Sequence, residues 1–104
     1  MALTREFRKT LQERAQHDPE FRHALLKEGI DTMLSGDMMT GKAILRDYIN
    51  AAVGFGNLAE ATSIPAKSLM RMLGPKGNPR AENLFQVLHH LQIREGIQLG
   101  VGSC

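Results

Sequence analysis

Four basic side chains stand close together in the second half of this chain, at a spacing that suits an anionic partner. They fall within residues 65–80, which contain no aspartate or glutamate, whereas residues 1–64 hold nine acids against eight bases. A local excess of positive charge beside a balanced region is typical of a surface that binds a polyanion. An ordinary solvated face is the alternative interpretation, which charge alone leaves open. The four residues are Lys67, Arg71, Lys76 and Arg80.

Other patterns that would support catalysis or ligand binding are incomplete. The run Gly36–Ala43 nearly matches a phosphate-binding loop, but Ala43 stands where that motif needs a hydroxyl to ligate magnesium, and a helical pattern precedes it where a strand is required. The four histidines have no acid or cysteine at ligand spacing. Ser68 and Ser103 have no convincing His and Asp partners. We therefore expect no enzymatic activity, no catalytic residues, no metal and no cofactor.

Composition and length favour one small all-α domain. The chain has 104 residues, of which 42% are hydrophobic and 23% charged, as in a soluble globular protein. Aromatic residues make up only 5% and tryptophan is absent, which favours helices over a sheet. No apolar run approaches the roughly 20 residues that span a bilayer, and no secretory signal begins the chain. Because Cys104 is the only cysteine, we expect a cytoplasmic protein without membrane contact.

Apolar spacing and capping residues predict a string of about six helices. Asp18 and Asp37 are expected to cap the second and third helices, and Asn78 and Pro79 to be the cap and first residue of the last one. Beyond Gly96, apolar and polar residues alternate weakly, as in an edge strand or a frayed tail. The predicted helices cover residues 3–16, 19–34, 38–53, 57–62, 66–73 and 80–92.

Residues 55–73 have the pattern of a helix-turn-helix, two short helices locked at a steep angle by a tight turn. This geometry needs core-facing residues at fixed offsets, a small residue where the helices cross and an apolar plug in the turn. Ser63 stands at the turn position that often holds glycine because φ there is positive, so we expect some strain. Pro65, in place of the more usual Ser or Thr, is tolerated at a helix start. The residues that meet the core requirement are Leu58, Ala59, Ile64, Leu69 and Met72.

The second helix of this pair leaves five side chains facing outward, where the major groove of duplex DNA would lie. Lys67 and Arg71 are four residues apart, and each suits guanine O6 and N7 or a flanking phosphate, while Ala66 and Met70 suit a thymine methyl group. A plain αα-corner in a small helical protein is the alternative interpretation. The predicted base-reading residues are Ala66, Lys67, Ser68, Met70 and Arg71.

The loop that follows, Gly74–Arg80, is predicted to lie against DNA phosphates. Its glycines would let the backbone approach a phosphate closely, its bases supply charge, and the start of the next helix presents free amides to an anion. The predicted phosphate-binding residues are Asn57, Lys76, Gly77, Asn78 and Arg80.

Residues 40–92 resemble the lambda-repressor-like helix-turn-helix family, in which a loop punctuated by Gly and Pro follows the recognition helix. More narrowly, the run Leu69–Pro79 is similar to the signature of addiction-module antidote proteins, small antitoxins that repress their own operons. The resemblance implies a lambda-repressor-like DNA-binding domain over residues 37–95, behind a helical extension over 1–36 and before a tail over 96–104. It also implies a transcriptional repressor of its own operon, with a cognate toxin as a partner.

One DNA-binding domain of this size buries too little surface to bind an operator tightly. We therefore expect a homodimer that binds a pseudo-palindromic operator. Either the helical extension or the tail would supply the dimer contact. The competing interpretation is a protein-interaction module whose N-terminal helices neutralise a partner protein, with little or no DNA binding.

Overall fold

The computed structural model describes residues 5–97, and over that range the chain folds into helices with no strand, which confirms the all-α prediction. No helix in this range combines the length and the apolar character that crossing a membrane requires. The tail beyond Ile97, for which an edge strand and a frayed end were both open, lies outside the described residues. The helices are α1 Arg5–His17, α2 Pro19–Leu34, α3 Met38–Tyr48, α4 Phe55–Thr62, α5 Ala66–Met72 and α6 Ala81–Glu95, with a π-helical turn at Ile49–Val53 directly after α3.

Two aspartates begin α2 and α3 as predicted. The Asp18 carboxylate accepts a hydrogen bond from the backbone N–H of Phe21 at 3.1 Å, and Pro19 is the first residue of α2. The Asp37 carboxylate accepts one from the N–H of Thr40, also at 3.1 Å. These bonds satisfy donors that the first turn of a helix leaves free. The Thr40 N–H also holds the pKa of Asp37 below its usual value.

The predicted third helix does not continue as an α-helix to Gly54. After Tyr48 it becomes a π-helical turn, in which the N–H of Gly54 donates to the carbonyl of Ile49 at 2.6 Å. Gly54 then ends the turn with a φ of 89°, a conformation that favours glycine. Because the chain turns at Gly54 itself, α4 begins at once at Phe55, earlier than the predicted start at residue 57.

The predicted cap and first residue of the last helix, Asn78 and Pro79, are wrong, although the predicted range, 80–92, begins within one residue of the observed start at Ala81. Arg80 is the cap residue, its backbone is extended with a ψ of 144°, and its carbonyl accepts the first helical hydrogen bond, from the N–H of Leu84. An extended residue at position 80 places the first helical residue at Ala81. At its other end, α6 runs to Glu95, past the predicted end at residue 92.

Helices α2 to α6 and the π-helical turn share one core. The predicted boundary between an extension and a DNA-binding domain, after residue 36, falls between two helices of that core. Since α2 contributes Leu26 and Ile30 to it, the N-terminal segment supports the helices that follow. The buried core residues are Leu26, Ile30, Leu45, Tyr48, Ile49, Phe55, Leu58, Leu69, Leu73, Val87 and Leu91.

Two glycines let α2 and α3 cross closely. A Cβ atom added to Gly41 would lie 2.8 Å from the backbone nitrogen of Met33 and 3.0 Å from the carbonyl oxygen of Gly29. A Cβ atom on Gly29 would lie 3.3 Å from the backbone nitrogen of Leu45. Any side chain at position 41 would therefore push the helices apart. This crossing accounts for the second glycine of the run that resembles a phosphate-binding loop.

A buried carboxylate joins four helices. Glu95 of α6, whose side chain is 2% exposed, accepts hydrogen bonds from the Tyr48 hydroxyl and from Arg22 Nε at 3.1 Å, and His23 Nε2 lies 3.2 Å away. Arg22 also donates to the carbonyl of Ala15 in α1 at 2.6 Å. Burial, together with the bond to Glu95, raises the pKa of the Tyr48 phenol far above its ordinary value. Tyr48 is therefore a permanent donor to this carboxylate.

Tyr48→Phe should lower the free energy of unfolding by about 1–3 kcal/mol, because it leaves the buried Glu95 carboxylate with one donor fewer. Urea unfolding followed by circular dichroism measures this loss. Thr10→Ala is the control, since it removes an exposed hydroxyl that donates to the Glu6 carbonyl, and it should change stability by less than about 0.5 kcal/mol. A Tyr48→Phe protein as stable as the wild type would contradict this account of the core.

Candidate nucleic-acid interface

The turn between α4 and α5 adopts the conformation that the helix-turn-helix pattern predicts. Ser63 is left-handed, with φ of 61° and ψ of 23°, and is the one non-glycine residue with positive φ in the described range. Its N–H donates to the carbonyl of Ala59 at 2.8 Å, which ends α4. Pro65 is the cap of α5, and its carbonyl accepts from the N–H of Leu69 at 3.0 Å. The positive φ expected at Ser63 and the expected place of Pro65 at a helix start are both confirmed.

The turn is fixed by two polar residues that the sequence pattern did not single out. Thr62 is buried, and its hydroxyl donates to the carbonyl of Leu58 at 2.8 Å and accepts from the N–H of Ile64 at 3.3 Å. The side-chain amide of Gln86 in α6 donates to the carbonyl of Thr62 at 2.9 Å. Helix α6 therefore fixes the turn between α4 and α5 and also packs in the core.

The predicted core positions of the helix pair pack inward. Leu58 and Leu69 are fully buried, and the other three positions are partly buried and packed against the core. Leu73, at the cap of α5, is also fully buried and adds an anchor. With Leu69 and Leu73 both beneath it, α5 lies with one face on the core and the opposite face in solvent.

Three of the five predicted base-reading side chains are exposed on the outward face of α5. Lys67 and Arg71 are exposed, and Met70 is 49% exposed. Ser68 is half-buried. Ala66 is half-buried and packs against the core, so it presents less outward surface than predicted.

The loop after α5 presents polar side chains above a tightly packed backbone. Lys76, Asn78 and Arg80 are exposed, while Gly77 is half-buried. A Cβ atom on Gly77 would lie 2.6 Å from the carbonyl oxygen of Met72, at the end of α5. The glycine at position 77 is thus required by packing against α5, whereas the sequence suggested that it serves approach to a phosphate.

Two basic residues of α3 hold this loop from below. Lys42 is only 6% exposed, and its ammonium donates to the carbonyls of Gly74 at 3.1 Å and Gly77 at 2.7 Å. Arg46, one turn later, donates to the carbonyl of Leu73 at 2.7 Å. In the sequence, Lys42 stands out only as part of an incomplete phosphate-binding loop. Its position three residues before Leu45, on the core side of α3, was the signal that it points inward.

The exposed bases of this surface are not neutralised by neighbouring acids. Lys67, Arg71, Lys76 and Arg80 form no ion pair with another described residue. In contrast, Lys27 on α2 lies 2.6 Å from Asp31. We call the four unpaired bases, with the α5 face and the loop that carry them, the basic surface.

Asn57, the remaining predicted phosphate-binding residue, lies in the first turn of α4. It is exposed, and its side-chain amide donates to the carbonyl of Val53 at 2.8 Å, so one of its donors is already occupied. Its role there is to satisfy a carbonyl of the π-helical turn.

Comparison of the chain with known protein families, with curated proteins and with solved structures found no match in any of the three. Among the described residues, no group of three or more His, Cys, Asp or Glu side chains is placed to hold a metal ion. The functional proposal for this chain therefore rests on the geometry of its own residues.

Ser63→Gly should raise the free energy of unfolding by about 0.5–1 kcal/mol, because glycine adopts the left-handed conformation without the steric cost that Ser63 bears. Ser63→Ala is the matched control, since alanine keeps the Cβ atom, and it should bring no gain. Thermal unfolding of the three proteins under identical conditions makes the comparison. A Ser63→Gly protein less stable than Ser63→Ala would contradict the assigned turn.

Proposed function

We propose that this protein binds duplex DNA sequence-specifically and represses transcription of its own operon. The observation that carries the proposal is the basic surface, in which Lys67 and Arg71 stand exposed and unpaired on α5 while Leu69 and Leu73 anchor the same helix in the core. A rigid helix with an unneutralised basic face is what insertion into a major groove requires.

In this mechanism α5 enters the major groove with its N-terminal turn leading. An α-helix with its side chains is about 10–12 Å in diameter, which fits a groove about 12 Å wide. Arg71 and Lys67 read guanine edges, and Met70 contacts an apolar base edge such as a thymine methyl group. Lys76 and Arg80 contact phosphates on either side and set the register of α5 on the duplex.

The DNA-bound form in this proposal is a homodimer. The DNA-binding surface of one protomer consists of a seven-residue helix and a short loop. This is little surface compared with the roughly 1,000–2,500 Å² that specific complexes bury. Two DNA-binding domains related by a two-fold axis would bind a pseudo-palindrome whose half-sites are about 34 Å apart.

A second candidate function, neutralisation of a partner protein such as a cognate toxin, is favoured by an exposed apolar group at the turn between α2 and α3. Leu34 is 59% exposed, Met39 65% and Met38 40%. Methionine-rich exposed surfaces suit protein partners because the side chains adapt their shape. This group lies on helices of the predicted extension and of α3, so an antitoxin would use both surfaces.

Arg71→Ala should weaken binding to the protein's own promoter by about 1–3 kcal/mol and relax base preference, whereas Lys76→Ala should mainly reduce the salt dependence, by about one unit of slope. Fluorescence anisotropy over a salt series measures both effects. Lys27→Ala is the control, because Lys27 is paired with Asp31 on α2, and its binding curve should match the wild type. Binding that survives simultaneous loss of all four bases of the basic surface would refute the proposal.

The partner-binding function predicts that this chain co-purifies with the product of the adjacent reading frame when the two are expressed together. Changing Leu34 and Met39 to serine should abolish that complex and leave DNA binding intact, because the apolar group would be lost while the basic surface is unchanged. Met70→Ser is the control, because Met70 is another exposed apolar residue but lies on α5, and this change should leave the protein complex in place. Retention of the complex by the Leu34 and Met39 double variant would exclude this surface.

A further inference from the structure

The geometry points to Lys42 as a positioning residue that aims the backbone N–H of Asn78 at a DNA phosphate. This inference rests on the proposed DNA-binding function and adds to it a residue that itself stays beneath the surface. The ligand is one phosphodiester group of the duplex, held by main chain and side chains together.

The hydrogen bond from Lys42 sets the direction of the Gly77 carbonyl group. Lys42 is almost fully buried, and its ammonium donates a hydrogen bond of 2.7 Å to the carbonyl oxygen of Gly77. The Gly77 carbonyl therefore points inward, toward α3. A second bond from the same ammonium, to the Gly74 carbonyl, fixes the other end of the loop.

The direction of the Gly77 carbonyl determines the direction of the Asn78 N–H, because the two groups belong to one peptide. A trans peptide is planar, and its C=O and N–H point in opposite directions. No cis peptide occurs in the described residues, so an inward carbonyl at Gly77 turns the N–H of Asn78 outward. Asn78 is exposed, and no described residue accepts a hydrogen bond from its N–H.

Two positive charges flank the backbone N–H of Asn78. Lys76 and Arg80 stand two residues before and two residues after it, both exposed and both without an ion pair in the described range. An outward amide flanked by two free cations has the donor set that binds a phosphate oxygen. Arg46 completes the support, because its bond to the Leu73 carbonyl fixes the end of α5 to the same helix.

The test uses the full chain with a duplex of its own promoter sequence. Lys42→Met removes the ammonium and keeps a stem of similar length, and Lys27→Met is the matched control on the exposed face of α2. Affinity is measured by fluorescence anisotropy in the wild-type background and in a Lys76→Ala, Arg80→Ala background. Backbone amide shifts of the wild type and of each variant are followed by NMR with and without the duplex.

We expect the Asn78 amide of the wild type to shift on DNA binding, and Lys42→Met to weaken binding about tenfold or more. In the background that lacks Lys76 and Arg80, the same change should cost less than about twofold, because without the two flanking cations the phosphate is no longer held against the Asn78 amide. Lys27→Met should bind like the wild type in both backgrounds.

Equal binding by Lys42→Met and the wild type, or the same loss in both backgrounds, would overturn the positioning role while leaving the proposed function intact. If Lys42→Met does not fold, the wild-type titration decides, because an Asn78 amide that stays unshifted while the duplex binds also overturns the inference. A wild type that binds no duplex overturns the proposed function and this inference with it.

Discussion

The buried ammonium of Lys42 is the contact on which the geometry of the basic surface depends. Placing a charged group in a protein interior is costly unless hydrogen bonds replace the lost water. Here two carbonyls of the loop replace it, at 3.1 and 2.7 Å, and the carbonyl end of α5 next to them attracts a positive charge. Loop, α5 and α3 are therefore held as one unit before any partner arrives.

The N-terminal helices support this unit from behind. Gly41 immediately precedes Lys42, and it allows α3 to lie against α2 at a distance that no other residue would permit. At the far end of α3, Tyr48 meets the Glu95 carboxylate, which Arg22 of α2 also binds. Changes in α2 are thus expected to reach α5 through α3, although the two helices are distant in sequence. In this sense residues 19–34 belong to the platform of the basic surface.

Sequence alone was sufficient to predict the features that depend on residues adjacent in the chain. The caps Asp18 and Asp37 and the left-handed Ser63 depend on bonds or backbone angles within a few residues, and each is found as predicted. The core side of α5 followed from the fixed offsets of the helix-turn-helix pattern, which places Leu69 and Met72 inward. Phe7 is an exception. It lies four residues before Leu11 and four after Leu3, a spacing that predicts one shared apolar face, but it is 51% exposed.

The polar contacts between distant segments were not predictable from spacing. Lys42 reaches a loop 32 and 35 residues away, Gln86 reaches Thr62 across 24 residues, and Arg22 reaches Glu95 across 73. Such pairs leave no periodic signal, because each depends on how whole helices pack. The start of α6 was misplaced for the same reason: Asn78 and Pro79 are a good local cap, but the preceding loop is bonded to α3 and α6 begins only after Arg80.

The central claim, that α5 reads a DNA sequence, is tested most directly by the wild-type affinity for two duplexes of equal length and composition. One carries the protein's own promoter and the other a scrambled order of the same base pairs, both at about 0.15 M salt, near the physiological ionic strength at which specificity ratios are defined. Sequence-specific recognition predicts an affinity ratio of about a thousand or more. Equal affinity for the two duplexes, or no binding to either, would contradict the claim.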